Sequence, residues 1–364
     1  MNPLEPNSPL KNAKMTAKIY WPEEARQAED ELLDYAYAVA SQSEHVRGHL
    51  PRLITSGSFR TRDDPIAKRK DLLELGEESK FIQRCLRILV FYKLKPIHEL
   101  KEDEFIIAWT DCFRCHFQLW MKHLHHCDIS SDNLMYDRDE EGRVVGVLND
   151  FDLSILAPLA DKFRTGCMGT VPFMATVLMR PGGTALPHLF EYDVESFIYV
   201  LLWITRRYGV VDGNVKLVDQ DTFVDWLHDN ASTHIQAHQQ ALEDASDHAA
   251  ILQKESNAAL AEAHAKHEET IVDLCRILGT HILDRLKENM ASKEVMKMDR
   301  TAETHIQQLH EKFMKIIKEN QVLKDAEGRQ LDLSETQWDT LVVRGLASYL
   351  WRELHSENSN AAAQ

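Results

Sequence analysis

Glycine is scarce in this chain. Its 364 residues include 14 glycines, about 4% against a usual value of about 7%, and the first is Gly48. A backbone that must wrap closely around a phosphate needs glycine, so a glycine-rich loop near the N-terminus is excluded. Positive charge is also short. The 42 Lys and Arg stand against 58 Asp and Glu, a net charge of −16, which repels phosphate backbones and anionic headgroups at long range. Nucleic acid and membrane surfaces therefore drop out as expected partners. No apolar run approaches the roughly 20 residues of a membrane span; the best, Phe197 to Ile204, reads as a buried core helix. The polar N-terminus has no apolar stretch of a secretory signal, and six cysteines are too few for a disulfide framework. The expected location is intracellular, in cytoplasm or nucleus.

What is present is enough for a large core. Hydrophobic residues make up 44% and charged ones 27%, and the length allows about two globular units. Residues 1–14 are polar and proline-rich and are expected to be disordered. Thr16 to Tyr20 alternates like a strand. Glu23 to Val39 carries an apolar stripe at Ala28, Leu32, Tyr35, Ala36 and Val39 and reads as a helix with Pro22 at its start. A charged loop falls at about 58–71, and Cys85 to Tyr92 is a strand-type run. Glu104 to Leu124 has helical periodicity. The pair Cys112 and Cys115 followed by His116 spells a c-type haem attachment pattern, but no second ligand pair completes a metal set, and helix residues are the simpler reading. Two short strands follow at 134–136 and 144–148, and a second apolar helix at about 193–208. Beyond residue 219 the pattern is helical almost throughout.

The chemistry lies in the middle of the chain. His126-Cys127-Asp128 is followed by Asn133, an Asp and an Asn five apart between a helix and a strand, which is the spacing of a kinase catalytic loop. There the Asp accepts the proton of an attacking hydroxyl and the Asn turns toward a magnesium ion on the nucleotide phosphates. At the end of the next apolar strand stands Asp150-Phe151-Asp152, whose first Asp would be a second hard oxygen ligand for Mg²⁺. The bland alternative makes these residues turn and loop caps. Arg164 to Ala175 looks like the end of an activation segment, with Thr165 and Thr170 inside it. Asp193 to Trp203 looks like the buried helix that follows, its Asp193 bonding back to the catalytic-loop backbone. Small-molecule kinases of the aminoglycoside type share the Asp and Asn elements but not this ledge and helix.

The combination resembles the fungal-type protein kinases, a divergent branch found in mushroom-forming fungi. The matching residues include Ala17 to Glu23, Arg26 and Glu29, His49 to Pro51, Arg84 with Arg87 to Val90, His126 to Ser130, Asp150 to Asp152, Gly169 to Ala175, and Asp193 to Trp203. The resemblance implies an α+β, bilobal kinase-like fold and ATP- and Mg-dependent phosphorylation of serine or threonine on a protein substrate. It implies Asp128 as base, Asn133 and Asp150 as metal ligands, Lys18 as the strand lysine on the phosphates and Glu29 as its ion-pair partner, with His126 and Asp193 in structural roles. The bland readings of Lys18 and Glu29 are a solvated strand lysine and a helix N-terminal acid.

Departures from the kinase pattern are specific. Cys127 stands where most kinases have Arg, Ser130 replaces the lysine two residues after the catalytic Asp, and Asp152 replaces Gly. No Ala-Pro-Glu follows Ala175. Only 17 residues precede Lys18, none of them glycine, so the expected N-lobe is truncated, without its first two strands and phosphate cover. Ser56-Gly57-Ser58 and Pro181-Gly182-Gly183 read as short turns. The expected division is a disordered N-terminus (1–14), a shortened N-lobe (15–95), a C-lobe core (96–232) and a helical C-terminal extension (233–364). Two functional alternatives follow: a pseudokinase that serves as a binding module, and a small-molecule kinase. The C-terminal helices, with Trp338, Leu346 and Trp351, suggest self-association.

Overall fold

The computed structural model describes residues 14–59, 84–156, 169–180, 188–227, 231–246, 263–264, 267–290 and 303–320. The N-terminal segment 1–13, most of the charged stretch expected as a loop at about 58–71, Thr165, Pro181-Gly182-Gly183 and the tryptophans 338 and 351 with Leu346 lie outside these residues.

Among the described residues, the first lobe shows a three-stranded antiparallel sheet and a helix. Strands β1 (Met15–Tyr20), β2 (Leu53–Phe59) and β3 (Leu86–Tyr92) lie in the order β1-β3-β2. Lys18 and Ser56 flank Leu89 from the two sides. Alternation along β3 buries Arg87, Leu89 and Phe91, as a strand with one covered face requires. Helix α1 (Glu29–Ala40) buries Leu32, Leu33, Ala36, Val39 and Ala40, a stripe at three- and four-residue spacing. These join one core with Leu89 and Phe91.

Two expectations are corrected here. The helix expected from Glu23 begins at Glu29. Glu23 instead forms a bridge with Arg84, and the Arg87 guanidinium takes the carbonyls of Arg26 and Gln27, bonds that hold this segment out of the helix. Ser56-Gly57-Ser58 is not a turn but the middle of β2, because pairing with β3 outweighs local turn propensity.

The second lobe is built on two buried helices. Helix α2 (Glu102–Met121) opens with Glu102, Asp103 and Glu104, which suit the positive end of the helix dipole. Cys112 and Cys115 are buried on it; Cys115 Sγ lies 3.7 Å from the His49 carbonyl. Leu124 belongs not to this helix but to a short strand β5 (Leu124–His125) paired with β8 (Ile155–Leu156). Strands β4 (Lys95–Pro96), β6 (Leu134–Arg138) and β7 (Val144–Leu148) form a second antiparallel sheet. Gly146 sets how closely β7 lies on α2: a Cβ there would stand 2.1 Å from the Ala108 carbonyl oxygen, inside van der Waals contact.

Helix α3 (Phe190–Arg207) is buried nearly end to end and is followed by a hairpin, β9 (Tyr208–Val211) and β10 (Asn214–Leu217), that the sequence reading passed over. Asp212 and Gly213 at its tip both have positive φ, the conformation of a tight two-residue hairpin turn. Among the described residues, helices α4 (Ala231–Ser246), α5 (Glu268–Met290) and α6 (Glu303–Asn320) follow. Ile271, Leu274 and Leu278 of α5 and Leu309, Phe313 and Ile317 of α6 enter the same core as α2 and α3, so these apolar stripes are covered by the lobe itself. No helix among the described residues is long and apolar enough to cross a membrane.

Candidate active site

The sequence-selected residues fall into two groups at the junction of the lobes. In the first, Lys18 on β1 reaches three carboxylates. Its Nζ lies 2.8 Å from Glu29 Oε2 on α1, 2.6 Å from Asp150 Oδ1 and 3.4 Å from Asp152 Oδ2. Burial lowers the Lys18 ammonium's pKa, but Asp150, Glu29 and Asp152 outweigh it and hold the group charged well above its ordinary value. Glu29 is 1% exposed, and burial pushes its carboxyl up against the pull of Lys18. Its second oxygen accepts the Phe151 N–H at 3.1 Å, so one side chain binds both the lysine and the backbone of the Asp-Phe-Asp segment. Burial also raises Asp150, yet Lys18 keeps it below the carboxylate range. Asp152 is pushed up to about 7 by burial and by the charge of Asp150.

The second group surrounds Asp128. Asn133 Nδ2 donates to the Asp128 carbonyl at 2.8 Å and to its Oδ2 at 3.2 Å. Thr170 donates both its N–H and its hydroxyl to Asp128 Oδ1, each at 2.8 Å. The carboxylate is therefore oriented from both oxygens. The two groups are joined through Asn149, whose N–H donates to the Asn133 carbonyl and whose own carbonyl meets His126 Nε2 at 3.0 Å. The His126 ring packs edge-on against Phe151. Beside Asp128 a shallow pocket is lined by Ile129, Thr170, Met174 and Leu178 among others.

Beneath the loop, Asp193 on the first turn of α3 accepts from three directions. Its Oδ2 meets His116 Nε2 at 2.7 Å and the Cys127 N–H at 3.3 Å, and its Oδ1 meets His188 Nε2 at 2.7 Å. Burial alone would raise its pKa, but the two imidazoles reverse the sign and hold the carboxyl far below its usual range. Burial lowers His188 in turn, while the neighbouring Cys127 and Asp193 charges raise it well above the ordinary imidazole value. Cys127 has φ 65°, a left-handed conformation that is costly for a side chain of this kind and persists where surrounding bonds fix it; the Asp193 contact is one such bond.

Sequence reasoning missed three residues of this framework. His116 was set aside with the cysteine pair, although a histidine inside an apolar stripe is a signal for a buried polar partner. His188 carried no local signal. Glu195, fully buried, accepts the Thr176 N–H and hydroxyl at 2.7 and 2.9 Å and the Tyr199 hydroxyl at 2.7 Å; an acid in the middle of the apolar α3 run was its mark. It fixes the ledge that follows Thr170.

The donor set suits Mg²⁺. Asp150 supplies a carboxylate, and Asn133, with its amide nitrogen committed to Asp128, presents its amide oxygen; hard oxygen donors completed by phosphates and water are what this ion takes.

A small antiparallel sheet whose Lys18 pairs with Glu29 of the adjoining helix α1, set against a helical lobe whose loops present Asp128, Asn133 and Asp150, defines a protein-kinase-like domain. The model of the family described as fungal protein kinase matches residues 7–205, more than half of the chain, and the chain belongs to that family. Among solved structures, one titled "Structure of vaccinia related kinase 3" superposes with a TM-score of 0.43 at 11% identity, covering 83% of this chain and 80% of that one. No curated protein matches.

Proposed function

We propose that this chain is an ATP- and Mg²⁺-dependent protein serine/threonine kinase. The observation that carries the reading is the three-way contact of Lys18 with Glu29 and Asp150 in a cleft that also holds Asp128 bonded to Asn133. Lys18 binds the α and β phosphates and Glu29 orients it. Asp128 accepts the proton of a serine or threonine hydroxyl as that oxygen bonds to the γ-phosphorus and the bond to the bridging β–γ oxygen breaks, releasing ADP. The Thr170 hydroxyl already donates to this carboxylate, the same interaction an incoming aliphatic alcohol makes. Asn133 and Asp150 would hold Mg²⁺, which would supply charge neutralisation to the phosphates. The ledge fixed by Glu195 favours a peptide over an amino sugar as acceptor.

One observation favours a second reading, a pseudokinase that acts as a binding module. Lys18 is engaged by three carboxylates, one of them Asp152, and a phosphate must displace at least one of them. Transfer of radiolabelled phosphate from ATP to a generic protein substrate separates the readings. The kinase reading expects incorporation that falls at least 100-fold in both Asp128→Asn and Asp150→Ala. Equal incorporation in the native protein and Asp150→Ala overturns it, and no rise in Tm with millimolar Mg-ATP favours the binding module.

A further inference from the structure

A second cluster of ligating side chains lies away from the cleft, where the C-terminal helices meet α3. Glu191, two residues before Asp193, points its Oε2 at His281 Nε2 of α5, 2.8 Å away, and at His305 Nε2 of α6, 3.8 Å away. One donor atom from each of the three residues lies within 4.8 Å of the others. The two imidazole rings stack with centroids 5.9 Å apart. Glu191 is 2% exposed in its side chain, whereas both histidines keep 13%. The cluster therefore has a buried anion at its base, a buried His305 Nε2 beside it, and two imidazoles that are partly exposed at their outer edges.

We infer that Glu191, His281 and His305 form a binding site for a divalent transition-metal ion, Zn²⁺ in the first place. Two imidazoles and one carboxylate are a donor set that this ion accepts, with a water in the fourth position. Tetrahedral bonds of about 2.0–2.2 Å put ligand atoms roughly 3.3–3.5 Å apart. The Glu191–His281 and Glu191–His305 separations of 2.8 and 3.8 Å bracket that value, and all three donor atoms already lie within 4.8 Å of one another. Imidazole donors disfavour Mg²⁺ and Ca²⁺, which take oxygen.

The backbone around the site is fixed independently of a metal. Leu278 and Ile282 flank His281 within the core, Ile306 follows His305 into it, and Phe190 precedes Glu191. The ligands come from three helices far apart in sequence, so the site exists only in the folded chain and metal binding stabilises that fold. It ties α5 and α6 to the turn of α3 that carries Asp193. The inference goes beyond the kinase reading and does not depend on it.

The test uses the full chain, stripped with a chelator, desalted and titrated with zinc sulfate alone. One equivalent of zinc retained through gel filtration, and a Tm that rises with zinc but not with equal magnesium or calcium, is expected. Co²⁺ in place of Zn²⁺ is expected to give the visible absorption of a four-coordinate site. His281→Ala and His305→Ala should each lose the bound equivalent and the Tm rise, while His123→Ala, outside the cluster, keeps both. If either alanine variant fails to fold by circular dichroism, Glu191→Gln, which keeps the size and a hydrogen bond to His281, is expected to weaken zinc at least tenfold. Absence of stoichiometric zinc in the native chain, or unchanged binding in folded variants of the cluster, overturns the inference.

Discussion

Two charged clusters, one centred on the Lys18 ammonium and one on the Asp193 carboxylate, lie on either side of the Asp128 loop, and they differ in kind. Around Lys18, three acids share one ammonium in a cleft where Lys18, Asp150 and Asp152 retain 23%, 30% and 26% exposure. Around Asp193, one acid is shared by two imidazoles and a backbone N–H at 2% exposure. The first has more negative than positive charge and is open; the second is balanced and closed. An open cluster with excess negative charge can exchange partners, as a site for a cation and phosphates must. A closed cluster fixes backbone geometry, because losing any partner leaves a buried group unsatisfied.

The contrast predicts where the molecule breaks. Asp193→Ala strips the acceptor from His116, His188 and Cys127 at once, and removing one partner from a buried charged pair costs about 3–5 kcal/mol. Chemical denaturation should show that loss together with loss of the folded Asp128 loop; a change under about 1 kcal/mol would erase the distinction between the clusters.

Acid should act next, and on the helical lobe. Burial holds His264 down to about 4 and His310 down to about 3. Each is neutral when folded and titrates near 6.5 when unfolded, so the unfolded chain binds more protons below that pH. Stability is full above about pH 6.5 and declines as pH falls toward 4 and 3. Melting temperatures followed across this range should fall progressively, and less steeply in His264→Gln; a flat profile would contradict the burial of these rings.

The smallest effect is expected at Asp152→Asn. Removing one of three acids around a single ammonium relieves like-charge repulsion, so stability should stay within about 1 kcal/mol of native or rise. A larger loss in the melting curve would mean that the open cluster is as structurally committed as the closed one.

The same contrast explains what the sequence made legible. Asp128, Asn133 and Asp150 stand at fixed spacings next to strands, and β7 coincides with its apolar run because each of its residues is read locally. Lys18 and Glu29 were reached through resemblance alone, since nothing near them in sequence distinguishes them from a surface lysine and a helix-start acid. The late start of α1 and the strand identity of Ser56 to Ser58 depend on Arg87 and on pairing with β3, partners far along the chain. His116 meets Asp193 across 77 residues, so no local window contains its purpose, and His188, five residues before Asp193, sits in a stretch with no periodic pattern to mark it. The β9–β10 hairpin was different, because Asp212-Gly213 between valine-rich flanks is a local turn signal that the helical composition around it obscured.

Glu29 has a consequence for motion. With one oxygen on Lys18 and the other on the Phe151 N–H, it couples the position of α1 to the β1 lysine and to the backbone that aims Asp150. A displacement of α1 strains both bonds together. The helix, the lysine and the Asp-Phe-Asp turn thus share one mechanical coordinate, and whatever pushes on the outer face of α1 acts on all three at once.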